Sequence, residues 1–146
     1  MIVNYKLKGK SIEITNTLQL SYFFKLPDEY SSFDYVLQFE DFLIVSMFYS
    51  KKSIPDEKKR RNIWRISENA IRTCPLATVS WVIEDPYNYW VKEKPGDKDL
   101  QESVKASHFS MIYMNNGKTI VNDGIADYFL DLETGKIKFW KAAERF

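Results

Sequence analysis

Short segments of alternating apolar and polar residues, joined by tight turn signals, recur along this chain. Gly9-Lys10, Glu40-Asp41, the segment NNGK at Asn115–Lys118 and Gly135 each separate two such segments. Two short alternating segments joined by a tight turn are typical of a β-hairpin. The pattern therefore predicts a mainly β protein built from consecutive antiparallel strands.

Counting these segments predicts roughly eight to ten strands. The segment FLIVSMFY at Phe42–Tyr49 is apolar on both faces, which predicts a central strand. We expect one single-domain antiparallel meander over residues 1–146, because a chain of this length fits one domain. A sandwich, an open barrel and propeller-like stacked sheets are all compatible with the pattern. Eleven segments have the pattern of a strand, some of them only three residues long, and the count of eight to ten is drawn from them: Val3–Leu7, Ile12–Ile14, Thr17–Leu26, Asp34–Phe39, Phe42–Tyr49, Ile63–Ile66, Leu76–Ile83, His108–Met114, Thr119–Val121, Tyr128–Leu132 and Ile137–Phe139.

Two segments read as loops. Ser50–Asn62 is charged and contains a proline, which predicts a solvated loop. The region of about residues 84–104 reads as a long irregular loop, although KDLQESVKAS at Lys98–Ser107 can form a short helical turn. A loop of that length is often functional.

Composition excludes several classes of protein. Lys and Arg number 21 against 20 Asp and Glu, so a net charge of +1 provides no global field for nucleic acid or membranes. The single cysteine, Cys74, cannot form an intramolecular disulfide, and the first residues lack the apolar run of a secretory signal. We therefore expect a soluble, cytoplasmic protein.

The residues for common catalytic sites are missing. A nucleophile with a general base needs an imidazole, and His108 is the one histidine, distant in sequence from Cys74. One His and one Cys cannot supply a structural zinc site, and no glycine-rich phosphate loop occurs. We expect no enzyme activity, no cofactor and no metal.

A group of carboxylates near the end of the sequence is the remaining chemical candidate. Paired acids can hold a hard cation or act as acid and base. The favoured interpretation is structural, because two of these acids fall in predicted turns and one points outward from a strand. The four are Asp123, Asp127, Asp131 and Glu133.

Charge is unevenly distributed along the chain. Leu26–Tyr49 carries five carboxylates and no Lys or Arg, interleaved with aromatic residues. Such a surface can capture a basic partner, since carboxylates steer the encounter and aromatic rings anchor it. The alternative is that these acids belong to solvated turns around a core sheet. The predicted partner-binding residues here are Asp28, Glu29, Asp34, Tyr35, Glu40 and Asp41.

The predicted long loop contributes a second candidate surface, YNYW. Tyr and Trp are favoured at binding hot spots, so Tyr87, Tyr89 and Trp90 are added to the predicted partner-binding residues. Equally, the loop can fold back so that its rings cap the core. The basic segment KKRR at Lys58–Arg61 is flanked by acids in a neutral chain, so no direct nucleic-acid contact is expected.

The segment YFLDLETGKIKFW at Tyr128–Trp140 is similar to the repeat of quinoprotein-type β-propellers, with a strand, an acidic turn containing Thr-Gly-Lys, and a strand ending in Trp. NIWRISENA at Asn62–Ala70 resembles a second, degenerate copy. A full propeller of that family is several times longer than this chain, so a free-standing propeller is excluded and no quinone site is inferred.

In size, composition and layout, the whole chain resembles the small aromatic-rich β proteins that act as immunity partners of bacterial toxins, including those of contact-dependent growth inhibition. The resemblance implies a non-catalytic protein that binds and neutralises a cognate toxin, for example a nuclease. One alternative is a small ligand- or carbohydrate-binding domain, and another is an accessory module of a propeller-like assembly. The tryptophans that would serve the carbohydrate alternative are Trp64, Trp81, Trp90 and Trp140.

Overall fold

The computed structural model describes residues 1–49, 54–68 and 76–143. The chain divides into two compact units. Unit 1 holds the described residues of Met1–Lys52 and Trp64–Trp81, and unit 2 holds those of Ser53–Ile63 and Val82–Phe146. The expectation of a single domain stays a prediction.

Within the described residues the chain is mainly β, as predicted, and each predicted strand overlaps an observed one. Three short helices accompany the strands. In chain order the elements are β1 (Ile2–Lys8), β2 (Ser11–Asn16), β3 (Ser21–Lys25), β4 (Tyr30–Gln38), β5 (Phe42–Tyr49), α1 (Asp56–Arg60), β6 (Ile63–Glu68), β7 (Ala77–Val82), α2 (Pro86–Glu93), α3 (Lys98–Lys105), β8 (Met111–Asn115), β9 (Lys118–Asn122), β10 (Ala126–Leu130) and β11 (Ile137–Ala142). The starts of three strands differ most from the prediction: β3 begins four residues later, β4 four residues earlier and β8 three residues later.

The strands form three antiparallel meanders. The sheets have the orders β1-β2-β3, β4-β5-β6-β7 and β11-β10-β9-β8, so neighbours in each sheet are also neighbours in sequence. In the described part of the chain none of the sheets closes on itself. The antiparallel meander predicted from the turn signals is therefore confirmed.

The core of unit 1 follows from the alternation of its strands. Ile12, Ile14 and Phe24 point inward, and all are buried. The Phe24 ring meets the Trp64 ring edge-on, with ring centroids 5.9 Å apart, and Tyr30 meets the same indole at 5.5 Å. Aromatic rings thus join β3 to β4 and β6.

The prediction of a central strand at Phe42–Tyr49 is confirmed. β5 lies between β4 and β6, and its residues Leu43, Val45 and Met47 are buried together with the intervening Ile44 and Ser46. A strand with both faces covered needs apolar residues at nearly every position, which explains the continuous apolar run.

The long irregular loop predicted at about residues 84–104 is wrong, because α2 and most of α3 occupy it. Each helix begins with an aspartate cap: the Asp85 carboxylate accepts a hydrogen bond from the Tyr87 N–H at 2.9 Å, and Asp97 accepts one from Leu100 N–H at 3.1 Å. Pro86 occupies the first turn of α2, where its missing N–H has no intrahelical partner to lose. A proline that reads as a loop signal is here a helix start.

The solvated loop predicted at Ser50–Asn62 also needs correction. Residues 50–53 lie outside the described part of the chain, but α1 follows, with acids in its first turn and bases in its last. This charge order opposes the helix dipole and favours the helix. Arg60, the last residue of α1, is buried rather than solvated.

A buried ion pair between Arg60 and Asp85 joins the three helices of unit 2. The Arg60 Nε and Nη2 atoms donate to the two carboxylate oxygens of Asp85 at 2.7 and 3.0 Å. The Arg60 Nη1 donates to the carbonyl oxygen of Lys105 at 2.9 Å. One guanidinium therefore connects the end of α1 with the start of α2 and the end of α3.

Two tight turns depend on left-handed backbone conformations. Gly135, between β10 and β11, has a φ of 76°, as predicted for this hairpin. In the NNGK turn, Asn116 and Gly117 have φ values of 50° and 76°, the combination that a two-residue hairpin loop prefers. The turn residues seen in the sequence thus occur where the backbone needs a positive φ.

Two sequence expectations lie partly or wholly outside the described residues. Cys74 falls within residues 69–75, as does the end of the Asn62–Ala70 segment.

Among the helices that are described, none has the length and apolar character needed to cross a membrane.

Replacing Arg60 with Leu should strongly destabilise unit 2, because it leaves the Asp85 carboxylate buried without its cation. We expect a loss of about 3–5 kcal/mol in the free energy of unfolding, measured by urea denaturation. Lys92→Leu, at an exposed position of α2, is the control and should change stability by less than about 0.5 kcal/mol. Equal losses in the two variants would contradict the role given to the ion pair.

Candidate functional site

The acids predicted to bind a partner lie along one strand at the edge of a sheet in unit 1. β4 is the first strand of its four-stranded sheet, so one of its sides carries no neighbouring strand in that sheet. Asp28 and Glu29 precede β4, Asp34 lies within it, and Glu40 and Asp41 follow it. We call β4 with these flanking acids the β4 edge.

A bulge near the middle of β4 presents the aromatic residue of this edge. Between Phe33 and Val36 the pairing with β5 shifts, so Asp34 and Tyr35 together lie opposite Ser46. The Tyr35 N–H donates to the buried Ser46 hydroxyl at 2.9 Å. The Tyr35 side chain is 37% exposed, so the bulge places a tyrosine beside a carboxylate at the surface.

The five acids line the strand rather than forming one cluster. β4 spans about 30 Å at ~3.3 Å per residue, with acids at both ends and one within the strand. Asp28, Glu40 and Asp41 are exposed, whereas Glu29 and Asp34 are half-buried. Asp41 lies 3.5 Å from the amino group of Met1, which offsets part of its charge.

The turn that carries Glu40 and Asp41 is held by stacked rings. Phe39 and Phe42 are nearly parallel, with ring centroids 4.7 Å apart and an interplanar angle of 13°. The Arg65 guanidinium lies 3.9 Å from the centroid of the Phe42 ring. These contacts fix the conformation of the turn that carries the Glu40 and Asp41 carboxylates.

The three aromatic residues predicted on the long loop lie in α2, in unit 2, and their rings serve the core. Trp90 is only 6% exposed. The Tyr89 hydroxyl accepts a hydrogen bond from the Phe139 N–H at 2.9 Å, and the Arg60 guanidinium lies 5.2 Å from the Tyr87 ring centroid. The sequence left open an alternative in which the rings of Tyr87–Trp90 cap the core, and Trp90 does so. A buried indole cannot meet a partner, so we leave it out of the site.

A chain of hydrogen bonds runs through the interior of unit 2. The Trp90 Nε1 donates to the Tyr128 hydroxyl at 2.8 Å, and that hydroxyl donates to the Asp123 Oδ2 at 2.9 Å. The N–H groups of Ile125 and Ala126 both donate to the Asp123 Oδ1 at 3.0 Å. Every polar atom along this chain therefore has a partner.

Burial shifts the pKa values of two groups in this hydrogen-bonded network, Asp123 and Tyr128. Burial raises the pKa of the Asp123 carboxyl above its ordinary value, although the hydrogen bonds from Ala126, Ile125 and Tyr128 act in the opposite direction. Burial and the neighbouring Asp123 charge raise the pKa of the Tyr128 hydroxyl, so it stays protonated and remains a donor. The network suits a structural role.

Two other carboxylates of the predicted chemical group have structural roles, whereas the Glu133 side chain is exposed. Asp127 accepts a hydrogen bond from the Asn122 side chain at 2.7 Å. Asp131 accepts one from the Glu133 N–H at 2.9 Å, which closes its own turn. Within the described residues, no group of three or more His, Cys, Asp or Glu side chains is placed to hold a metal.

The basic segment Lys58–Arg61 is partly committed to the fold. Arg60 is buried in its pair with Asp85, as described above. The Arg61 Nε donates to the carbonyl oxygen of Ile83 at 2.8 Å, and its Nη1 lies 3.2 Å from the Glu57 carboxylate. The Lys59 Nζ lies 3.9 Å from the Asp56 carboxylate. At least three of the four residues are therefore engaged within unit 2.

The sequence reading missed a surface on the four-stranded sheet of unit 2. Lysines from β9 and β11 flank two neighbouring aromatic rings there, around the buried Ile120. The alternation of each strand contains this signal, but the face emerges only when the strands are paired in register. We call this surface the lysine face; it consists of Lys118, Ile120, Phe129, Lys138, Trp140 and Lys141.

The tryptophans named for a carbohydrate site separate in the structure. Trp64 contacts Phe24 and Tyr30 in unit 1, and Trp90 is buried in unit 2. Trp81 is half-buried, and Trp140 lies half-buried on the lysine face. Trp64 and Trp81 thus belong to unit 1, and Trp90 and Trp140 to unit 2.

Comparison with known proteins adds no family assignment: no family model, curated protein or solved structure matches this chain. The resemblances to toxin-immunity proteins and to a quinoprotein repeat therefore stay predictions. Any proposal about function rests on the residues and surfaces described above.

Replacing Tyr128 with Phe removes the central hydroxyl of the buried chain. The Trp90 N–H and the Asp123 Oδ2 then both lose their partner inside the core, so we expect a loss of about 1–3 kcal/mol in the free energy of unfolding. Tyr35→Phe, at an exposed tyrosine, is the matched control and should cost less than about 0.5 kcal/mol. Urea denaturation followed by fluorescence measures both, and equal costs would contradict the network.

The raised pKa of Asp123 predicts a pH dependence. Because the folded protein binds the proton more tightly than the unfolded chain, the stabilisation is full below the ordinary value of 3.8 and is lost as pH rises through the raised folded pKa. Asp123→Asn removes this titration. The stability of the wild type minus that of the variant should therefore fall as pH rises through that window, measured by urea midpoints. A difference that stays constant or rises with pH would contradict the prediction.

Proposed function

We propose that the protein is a non-catalytic, cytoplasmic binding protein that uses the β4 edge to capture a basic partner protein. The observation that carries the proposal is the charge of this edge. Leu26–Tyr49 contains five carboxylates and no Lys or Arg, in a chain whose total charge is nearly balanced. A local field of this kind steers a partner of opposite charge toward one strand.

The anchor of the proposed site is Tyr35. Tyrosine is enriched at binding hot spots because its ring buries a large area, and neighbouring carboxylates steer the encounter with a basic partner. Tyr35 combines this exposure with a rigid backbone, since its N–H is bonded to Ser46 in the middle of the sheet. The side chain is thus presented without the entropy cost of ordering a loop.

The partner that fits the proposal is a cognate toxin, as in bacterial contact-dependent growth inhibition. Support comes from the resemblance in size, composition and layout to immunity proteins, and from charge complementarity. A nuclease toxin needs a basic surface to hold its nucleic-acid substrate. The acids of the β4 edge, which lie on about 30 Å of strand, would cover such a surface and block substrate entry.

The proposal is tested by co-expressing the protein with the product of the gene immediately upstream. We expect the two to copurify and the growth arrest caused by that product to be relieved. The triple variant D28N/D34N/E40Q should slow association by about tenfold at low salt, because steering is lost. Tyr35→Ala should raise Kd by about tenfold or more through faster dissociation, since it removes the anchor.

The matched control neutralises three exposed acids of unit 2, in the variant E93Q/E102Q/E133Q. It changes the total charge by the same amount and should leave association and growth protection unchanged. Equal slowing by both triple variants would show that total charge rather than the β4 edge acts. If the upstream product is harmless and nothing copurifies, the toxin-binding proposal is wrong.

A further inference from the structure

The sheet of unit 2 has two different faces. Tyr128 of β10 pairs with Val121 of β9, and these side chains belong to the buried face. The next pair, Phe129 with Ile120, lies on the opposite face, where Lys138 of β11 is the other neighbour of Phe129. Lys118 shares this face because it lies two residues before Ile120.

A bulge adds two more side chains to the lysine face. Along β11 the pairing shifts so that Trp140 and Lys141 together occupy the place of one residue, opposite β10. A bulge of this kind turns successive side chains that would otherwise alternate toward the same side of the sheet. Trp140 and Lys141 therefore join Phe129 on one surface.

The rings and cations of this face are in direct contact. Phe129 and Trp140 have ring centroids 5.3 Å apart and planes inclined by 31°. The Lys118 Nζ lies 4.8 Å from the Phe129 ring centroid, and the Lys141 Nζ lies 4.5 Å from the Trp140 ring centroid. The face thus forms a two-ring platform with an ammonium group over each ring. A base can stack on that side of a ring only when the flexible lysine side chain swings away from it toward a phosphate.

Open grooves border this platform. One of about 430 Å³ is lined by Lys118, Phe129 and Lys138 among others, and one of about 210 Å³ is lined by Asn116, Trp140 and again Phe129. The larger volume falls in the range of pockets that hold small organic ligands, about 300–1,000 Å³. Flat groups of that size can reach the rings from solvent.

The electrostatics of the face are positive. Its three lysines are exposed, and among the described residues none of them lies in a salt bridge. Asp127, on the same face, is 5% exposed and accepts a hydrogen bond from the Asn122 side chain. The exposed Asp131, two residues after Phe129, has its carboxylate bonded to the Glu133 N–H in the adjoining turn. A ligand meeting this surface meets ammonium groups and rings.

We propose that the lysine face binds single-stranded nucleic acid, with bases stacked on Phe129 and Trp140 and phosphates bound by Lys118, Lys138 and Lys141. A single strand offers a flat base and a negative phosphate in every nucleotide, which matches rings and ammonium groups on adjacent strands. An acidic protein segment satisfies the lysines but leaves the rings and grooves without a flat partner. The expectation of no nucleic-acid contact was based on total charge, whereas this charge is local.

Fluorescence anisotropy with a dye-labelled oligothymidylate or oligouridylate at low salt tests the proposal. The double variant K118E/K138E should raise Kd by about tenfold or more and lower the slope of log K against log salt by about 1.4, at ~0.7 for each lost lysine contact. Trp140→Leu should raise Kd by about tenfold, whereas Trp140→Phe keeps a stacking ring and should retain most of the affinity.

Matched controls come from the outer face of β3 in unit 1, where exposed Phe23 precedes exposed Lys25 by two residues. Phe23→Leu and Lys25→Glu should leave Kd within about twofold, after allowing for the small change in total charge. Trp140→Phe is the control for misfolding. Both variants remove the indole, but only Trp140→Phe keeps an aromatic ring, so a loss of affinity confined to Trp140→Leu is assigned to stacking.

Three results would overturn the proposal. The first is absence of oligonucleotide binding by the wild type at low salt. The second is an equal loss of affinity in Phe23→Leu and Trp140→Leu. The third is equal affinity for polyglutamate or for a duplex of the same length, which would assign the face to an acidic protein or to charge alone. None of these results bears on the β4 edge, so the two proposals fail separately.

Discussion

The three helices of unit 2 depend on one buried ion pair. Arg60 and Asp85 have side chains that are 8% and 5% exposed, and each group makes one further hydrogen bond at a helix end. Taking two charges out of water is costly, and this geometry offsets the cost because the contact is bidentate and each group makes that further bond. The same carboxylate caps α2, so the pair and the helix start form together.

The buried polar side chains described in unit 2 are bonded to one another. The Trp90, Tyr128 and Asp123 side chains satisfy one another, as Arg60 and Asp85 do. A network in which each group is already paired has no donor or acceptor left for a substrate. The two proposed recognition surfaces lie outside this network: unit 1 presents carboxylates along β4, and unit 2 presents lysines and aromatic rings on one face of its sheet. The two surfaces differ in sign, ring content and backbone, which is why each is assigned a different partner.

The strands were predictable because alternation and turn chemistry are local properties, as at Gly9-Lys10 and Gly135. The helices were not, because Asp85-Pro86 reads equally as a turn or as a capped helix start, and the packing of Trp90 decides between them. Arg60 looked solvated because its partner lies 25 residues further along the chain. The acidic run was visible in the sequence, whereas its position on an edge strand was not. The lysine face needed both strand register and the bulge at Trp140, neither of which periodicity reports.

The irregular pairing of β4 also affects how copies of the chain meet. A straight edge strand can act as a template for the same strand of another molecule, and a fibril grows when that step repeats. β4 is interrupted twice, after Tyr30 and again at Asp34-Tyr35, and like charges along it repel a second copy. Self-templating is therefore suppressed at the strand that is proposed to meet a foreign protein. For this reason the protein can reach a high concentration with the edge of β4 uncovered, without that edge pairing with the same strand of another copy.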